Sequence, residues 1–187
     1  MPQDTDSHRL HPLLARRWSP TSFDESHTID TSAIDLLLEA ARWAPSAGNS
    51  QPWSFIVGVR GDSNHDRLVR HLARSSARWA STASVLIANL CHRFVEGTDW
   101  EYSEFAQYDL GQAVAHMTVQ AGALGLHSRQ FRAFDRTGIE AAFGVPAHWE
   151  VMTMCAIGLV AAHGEANDRD IATAGRERRP IGDLLWK

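Results

Sequence analysis

Residues 41–55 read ARWAPSAGNSQPWSF, and this stretch limits the fold more than any other in the 187-residue chain. A helix-forming run ends at its first proline, and an aromatic and β-branched run begins at Trp53. The residue before a proline is pushed out of the helical region, so the helix must stop at Ala44. The nine residues 45–53 hold two prolines, one glycine, two serines, one asparagine and one glutamine. That is a rigid, polar, amide-bearing turn at the mouth of a strand. It serves either as a structural crossover or as a ligand cradle. As a cradle, Ser46, Asn49 and Gln51 can donate and accept hydrogen bonds. Gly48 lets the backbone come close to a flat ring, and the prolines reduce the entropy lost in holding the shape.

The rest of the chain is organised around that junction. Residues 30–44 predict a helix, with Asp30, Thr31 and Ser32 as candidate N-caps, Ser32 and Asp35 resembling a capping box. Its apolar stripe is Ile34, Leu37, Leu38 and Ala41. Residues 53–59 (WSFIVGV) predict a strand, 65–80 a weaker helix, and 84–90 (SVLIANL) a fully buried strand. A long helix is expected over 104–125, with Leu110, Ala113, Val114, Met117 and Ala121 on one side and Gly125 closing it. A short strand near 128–132, a helix at 137–143 and a last core strand at 150–160 complete the pattern. Strands separated by helices on a modest sheet give an α/β or α+β domain. One domain over 11–187, with residues 1–10 as a loose arm, fits the length.

The formal net charge of −4 argues against general nucleic-acid binding, which needs a basic footprint. Cys91 and Cys155 lie inside apolar runs and read as buried free thiols of a reducing compartment, with a disulfide or a catalytic cysteine as the alternative. The polar start MPQDTDSHRL is not a secretory leader, and no run approaches the length of a membrane span. A soluble, cytoplasmic protein is expected. GALGLH at 122–127 follows a helix and is not a dinucleotide fingerprint. The ten histidines form no spacing that points to a metal site. The seven tryptophans mostly fall at helix ends and strand starts, where they would cap a core.

Two basic segments stand out in this acidic chain. ARRWSPTSFD (15–24) carries Arg16 and Arg17, and GRERRP (175–180) carries Arg176, Arg178 and Arg179. A guanidinium fork can bind two phosphate oxygens at once, so segments from both chain ends could meet on one phosphate. Solvated charged surface is the alternative for each.

Together, RRWSPTSF, AARWAPSAGNSQPW, GLHSRQFRAFD and RERRPIGDLL resemble motifs of the nitroreductase family of FMN-dependent oxidoreductases, over residues 11–187. The resemblance implies an α+β fold, with a central, mainly antiparallel mixed sheet flanked by helices in an intertwined homodimer. It implies that Arg17 and Ser19 hold the FMN phosphate and nearby atoms, that Trp18 contributes backbone, and that Arg176 and Arg178 complete the phosphate site. Pro45, Ser46, Ala47 and Asn49 would touch the ring and ribityl chain from the second subunit, with Gln51 pinning the turn. Gln130, Phe131, Arg132 and Ala133 would run beside the ring, a backbone N–H near Arg132 donating to N5. Thr21 stands where the family has a cation facing the N1–C2=O end of the ring. Ser76 stands in place of an asparagine, and Arg78 is a candidate to supply the missing charge.

The implied activity is ping-pong transfer of hydride from NADH or NADPH, through FMN, to an electron-poor acceptor such as a nitroaromatic, quinone or enone. Phe131, Trp100 and Tyr102 are candidates to line the acceptor side. The apolar tail IGDLLWK is expected to reach onto the partner. Two alternatives remain: a protein that stores or sequesters FMN with little turnover, and specialised flavin chemistry on the same fold.

Overall fold

The computed structural model describes residues 10–161 and 177–186. Its elements are α1 (Pro12–Arg16), α2 (Thr31–Arg42), β1 (Trp53–Val59), α3 (Ser63–Arg70), α4 (Arg74–Ala80), β2 (Val85–His92), α5 (Ala106–Ala123), β3 (His127–Phe131), α6 (Arg136–Phe143) and β4 (Trp149–Gly158), with single turns of 3₁₀ helix at Ala47–Asn49 and Ile181–Leu184. The strands form one sheet in the order β1-β2-β4-β3. The expected mainly antiparallel sheet is present, and all three described strand pairings are antiparallel.

The central strands are the most buried because both faces are covered. Val85, Leu86, Ile87 and Ala88 of β2 are fully buried. Alternation along the strands divides the core in two. One half sets Val85, Ile87, Cys155 and Ile157 against α2 and α5. The other sets Leu86, Ala88, Met154 and Ala156 against Leu68 of α3, Ala80 of α4 and Ile139 of α6. At Gly58 of β1, an added Cβ would lie 2.6 Å from the His65 backbone nitrogen, so only glycine lets α3 sit this close.

Several boundaries are local in origin. The cap of α2 is Asp30, whose carboxylate accepts from the Ala33 N–H at 2.7 Å and the Ser32 hydroxyl at 2.8 Å. Ser32 therefore supports the cap instead of forming one. Gly125, at φ +75°, follows α5 as the closing residue. The helix expected over 65–80 is instead two helices, α3 and α4. Leu72 bridges to Phe134, and the Ala73 N–H donates to the Ala133 carbonyl at 3.1 Å. A contact with residues sixty positions away breaks that helix, and nothing local in 65–80 signals it.

Candidate functional site

The turn at 45–51 is built to hold an unusual backbone. Gly48, Asn49 and Gln51 have φ of +58°, +56° and +47°. The two non-glycine residues cost of order 1–3 kcal/mol each unless their surroundings hold them there. Several contacts do so. The Ser46 hydroxyl oxygen accepts from the Gln51 N–H at 3.0 Å, and the Gln51 amide donates to the Asn49 side-chain oxygen at 3.2 Å. Asp109, in the first turn of α5 and only 2% exposed, accepts from the Ala47 N–H at 3.0 Å. The Tyr102 hydroxyl donates to the Ser50 carbonyl at 3.2 Å. Ser46 and Gln51 are thus spent on shaping the turn, while Pro45, Gly48 and Asn49 stay exposed. Sequence reasoning missed Asp109, although a lone carboxylate beside the apolar stripe of α5 was a usable signal.

The second group of residues assembles around β3, the edge strand after the long helix. Loop 17–21 lies beside it. The Arg129 guanidinium donates to the Pro20 carbonyl at 3.1 Å, and the Trp18 indole meets the His127 ring edge-on at 5.4 Å. Trp18 is buried, so its side chain anchors the loop. An Arg17 N–H donates to the Ser19 hydroxyl at 3.3 Å, and Thr21 is half-buried. Beyond β3, Ala133 accepts from the Ala73 N–H and the Ser76 hydroxyl, so α4 is tied to segment 130–134. Ser76 is buried and acts as that tie, whereas Arg78 is exposed on α4. The Gln130 amide donates to the Thr118 hydroxyl of α5 at 3.1 Å. Arg132 turns its guanidinium to the Phe134 carbonyl and ring. Phe131 packs edge-on against Trp79.

A cavity of about 210 Å³ opens where α1, the end of α5 and the start of β3 meet. Arg16, Arg17, Trp18, Gly122, His127 and Ser128 are among its lining residues. His127 Nδ1 is buried and has no hydrogen-bond partner among the described residues. Burial pushes the imidazole below its usual pKa, so the ring is neutral near pH 7. A polar ligand in the cavity would satisfy that nitrogen, and the two arginines suit an anionic one. His127 and Ser128 were not anticipated, because their place at the cavity depends on where α1 lands.

The two groups lie at opposite ends of α5. Asp109 holds the 45–51 turn at the start of the helix, and Gly122 borders the cavity thirteen residues later, a rise of about 20 Å. Arg178 lies on an exposed segment, where its guanidinium donates to the adjacent Glu177 carbonyl at 2.8 Å, and it does not line the cavity. Arg176 lies outside the described residues. Trp100 is 77% exposed, and Tyr102 stacks on His92 with ring centroids 3.7 Å apart. Trp43, Trp100 and Trp186 are exposed instead of capping the core. Both cysteines are free, and burial raises each thiol to about 11, which leaves no reactive thiolate.

Comparison with known proteins places these features in a lineage. The nitroreductase family model matches residues 14–82. A Streptomyces coelicolor protein described as an NADH dehydrogenase/NAD(P)H nitroreductase is 29% identical over 148 residues, which span 70% of this chain and 73% of that one. An uncharacterised 15.4 kDa protein from Mycolicibacterium smegmatis is 33% identical, over 67% of this chain and 86% of its own. A crystal structure of an oxidoreductase containing FMN superposes with a TM-score of 0.84 at 27% identity, covering 95% of this chain and 91% of that one. Sequence and architecture agree, and the chain belongs to the nitroreductase family.

Proposed function

We propose that this protein is an FMN-dependent oxidoreductase, taking hydride from NADH or NADPH and passing it to an electron-poor acceptor such as a nitroaromatic or quinone. The observation that carries this reading is the cavity joining Arg16 and Arg17 to the head of the edge strand β3, with the unpartnered His127 Nδ1 in its wall. That donor set fits the phosphate end of a mononucleotide. When bound, FMN supplies a ring that takes up and returns hydride.

The chain's own residues bind and orient. Arg17 and Ser19 would hold the phosphate; Arg178, which does not line the cavity, and Arg176 would have to reach it by movement of the C-terminal segment or from a second copy. The backbone of 130–133, at the sheet edge, would run beside the ring, and an N–H near Arg132 would donate to N5. No side chain has to carry a proton in the hydride step itself.

The 45–51 turn is the part that calls for a second copy. About 20 Å of helix separates it from the cavity within one chain, so a turn from the partner is the natural lid for the ring. Exposed apolar side chains on and near α2 and α5, namely Leu36, Trp43, Phe105 and Tyr108, supply a surface for that contact. Ile181, Leu184, Leu185 and Trp186 supply another on the tail. Pairing would bring Pro45, Ser46, Ala47 and Asn49 over the cofactor and shield it from water.

The test is anaerobic titration of the purified, FMN-loaded protein with NADH and with NADPH, followed by visible absorbance, alongside sedimentation. A yellow dimer that bleaches with either nucleotide is expected. A colourless protein that cannot be reconstituted with FMN refutes the proposal. A yellow protein that fails to bleach points to storage of the cofactor instead of turnover.

A further inference from the structure

His127 is the first residue of β3, and its ring is fixed before any ligand arrives. The Trp18 indole meets it edge-on at 5.4 Å, and residue 127 is paired with Gly158 of β4. Nδ1 is buried without a hydrogen-bond partner among the described residues, and the residue lines the cavity together with Arg16 and Arg17. A buried ring nitrogen left unpaired is uncommon, because it forfeits its bond to water and gains none in exchange. An apolar ring would serve the packing better, so the nitrogen points to a ligand that reaches it.

The charged side chains lining that cavity are of one sign. Arg16, at the end of α1, is exposed, and Arg17 after it is half-buried. On the same strand Arg129 lies two residues further and turns to the Trp79 ring and the Pro20 carbonyl. Helix α5 brings Thr118 and Gly122 to the wall, while its His116 is exposed and outside the lining. The facing residue of β4, Gly158, has no side chain to titrate. No carboxylate among the described residues pairs with His127. Burial is what keeps the empty ring neutral.

A phosphate reverses that balance. Near pH 7 a phosphomonoester carries between one and two negative charges. An imidazolium beside it makes a charge-assisted bond, which a neutral ring cannot match. Solvent screens the exposed Arg16, whereas a charge at buried Nδ1 is screened far less.

We infer that His127 binds the cofactor phosphate as an imidazolium, so that FMN enters the cavity together with one proton taken from solvent. This rests on the FMN reading. Nothing is oxidised or reduced in the step: neutral His127, one proton and the phosphate dianion give an ion pair in which Nδ1–H donates to a phosphate oxygen. The free ring holds its proton weakly and the bound ring holds it more tightly. Between those two pKa values, affinity for FMN rises as pH falls, by at most about tenfold per pH unit for one proton. Below the lower value the gain is complete.

Exchange of the histidine C2 hydrogen, read by mass spectrometry, reports the ionisation of each ring in the wild-type protein. It is measured without cofactor, with FMN, and with riboflavin, which has the same ring system and no phosphate. FMN should raise the proton affinity of His127 by about tenfold or more, and riboflavin should not. Calorimetry in two buffers of different ionisation enthalpy counts the protons taken up with FMN. H127N keeps an amide near the place of Nδ1 but cannot titrate, so it should take up fewer protons than wild type at pH 7. Comparing the two variants cancels the protons exchanged by the phosphate itself.

An unchanged proton affinity of His127 with FMN bound overturns the inference and leaves the FMN reading intact. So does a rise as large with riboflavin as with FMN, or an equal proton count in H127N and wild type. If wild-type protein takes up no FMN, the proposed function fails first, and this inference falls with it.

Discussion

Replacing Asp109 by alanine tests whether a single buried carboxylate holds the 45–51 turn in its left-handed form. Asp109 is 2% exposed, accepts from the Ala47 N–H at 3.0 Å and meets the Gln112 amide at 3.4 Å. A hydrogen bond to a charged acceptor contributes about 1.5–3 kcal/mol. The same carboxylate lies in the first turn of α5, where the helix dipole adds about 0.3–1 kcal/mol. D109A should therefore cost roughly 2–4 kcal/mol. In a chain of this size, each kcal/mol lowers Tm by about 2–4 °C, so a fall of roughly 4–16 °C is expected in thermal unfolding. D109N keeps an oxygen acceptor and should lose about half as much. If the turn closes over a partner's FMN as proposed, D109A should also weaken FMN retention more than D109N does. A D109A protein that melts within a degree or so of wild type, with unchanged protease sensitivity at 45–51, would refute this account. The turn would then be held by Ser46, Gln51 and Tyr102 alone.

Two further predictions follow from the same geometry. S76A removes the hydroxyl that ties α4 to the Ala133 carbonyl and should cost about 1 kcal/mol in urea denaturation, with FMN affinity falling because segment 130–133 loses its brace. With both thiols raised to about 11 by burial, Cys91 and Cys155 should resist a thiol-reactive probe in the native protein at neutral pH and react once urea unfolds it. Fast native labelling of either residue contradicts the assigned burial.

Local pattern made much of this molecule readable. The strand expected at 53–59 has those bounds in the structure, because apolar β-formers follow a proline that forbids helix. The strands near 84–90 and 150–160, and the helices near 30–44 and 104–125, were legible from periodicity to within two residues at most ends. The break between α3 and α4 was not legible. Leu72 and Ala73 are claimed by Phe134 and Ala133, and no window along 65–80 contains that information. The site divides in the same way. The motifs at 17–21, 45–51 and 130–133 pointed to a cofactor through their resemblance to a known family, but Asp109, His127 and Arg129 acquire their contacts only from neighbours distant in sequence.

The sequence by itself determined most of the elements and the chemistry on offer: a rigid polar turn, arginines near each end, and thiols set within apolar runs. These depend on side-chain type and on neighbours within a few residues. The tertiary structure alone decided which of them meet. The antiparallel order β1-β2-β4-β3 puts β3 at the sheet edge beside loop 17–21, and α5 sets the turn and the cavity about 20 Å apart. Such distances arise from packing whole elements against each other, and the spacing of residues along the chain does not encode them.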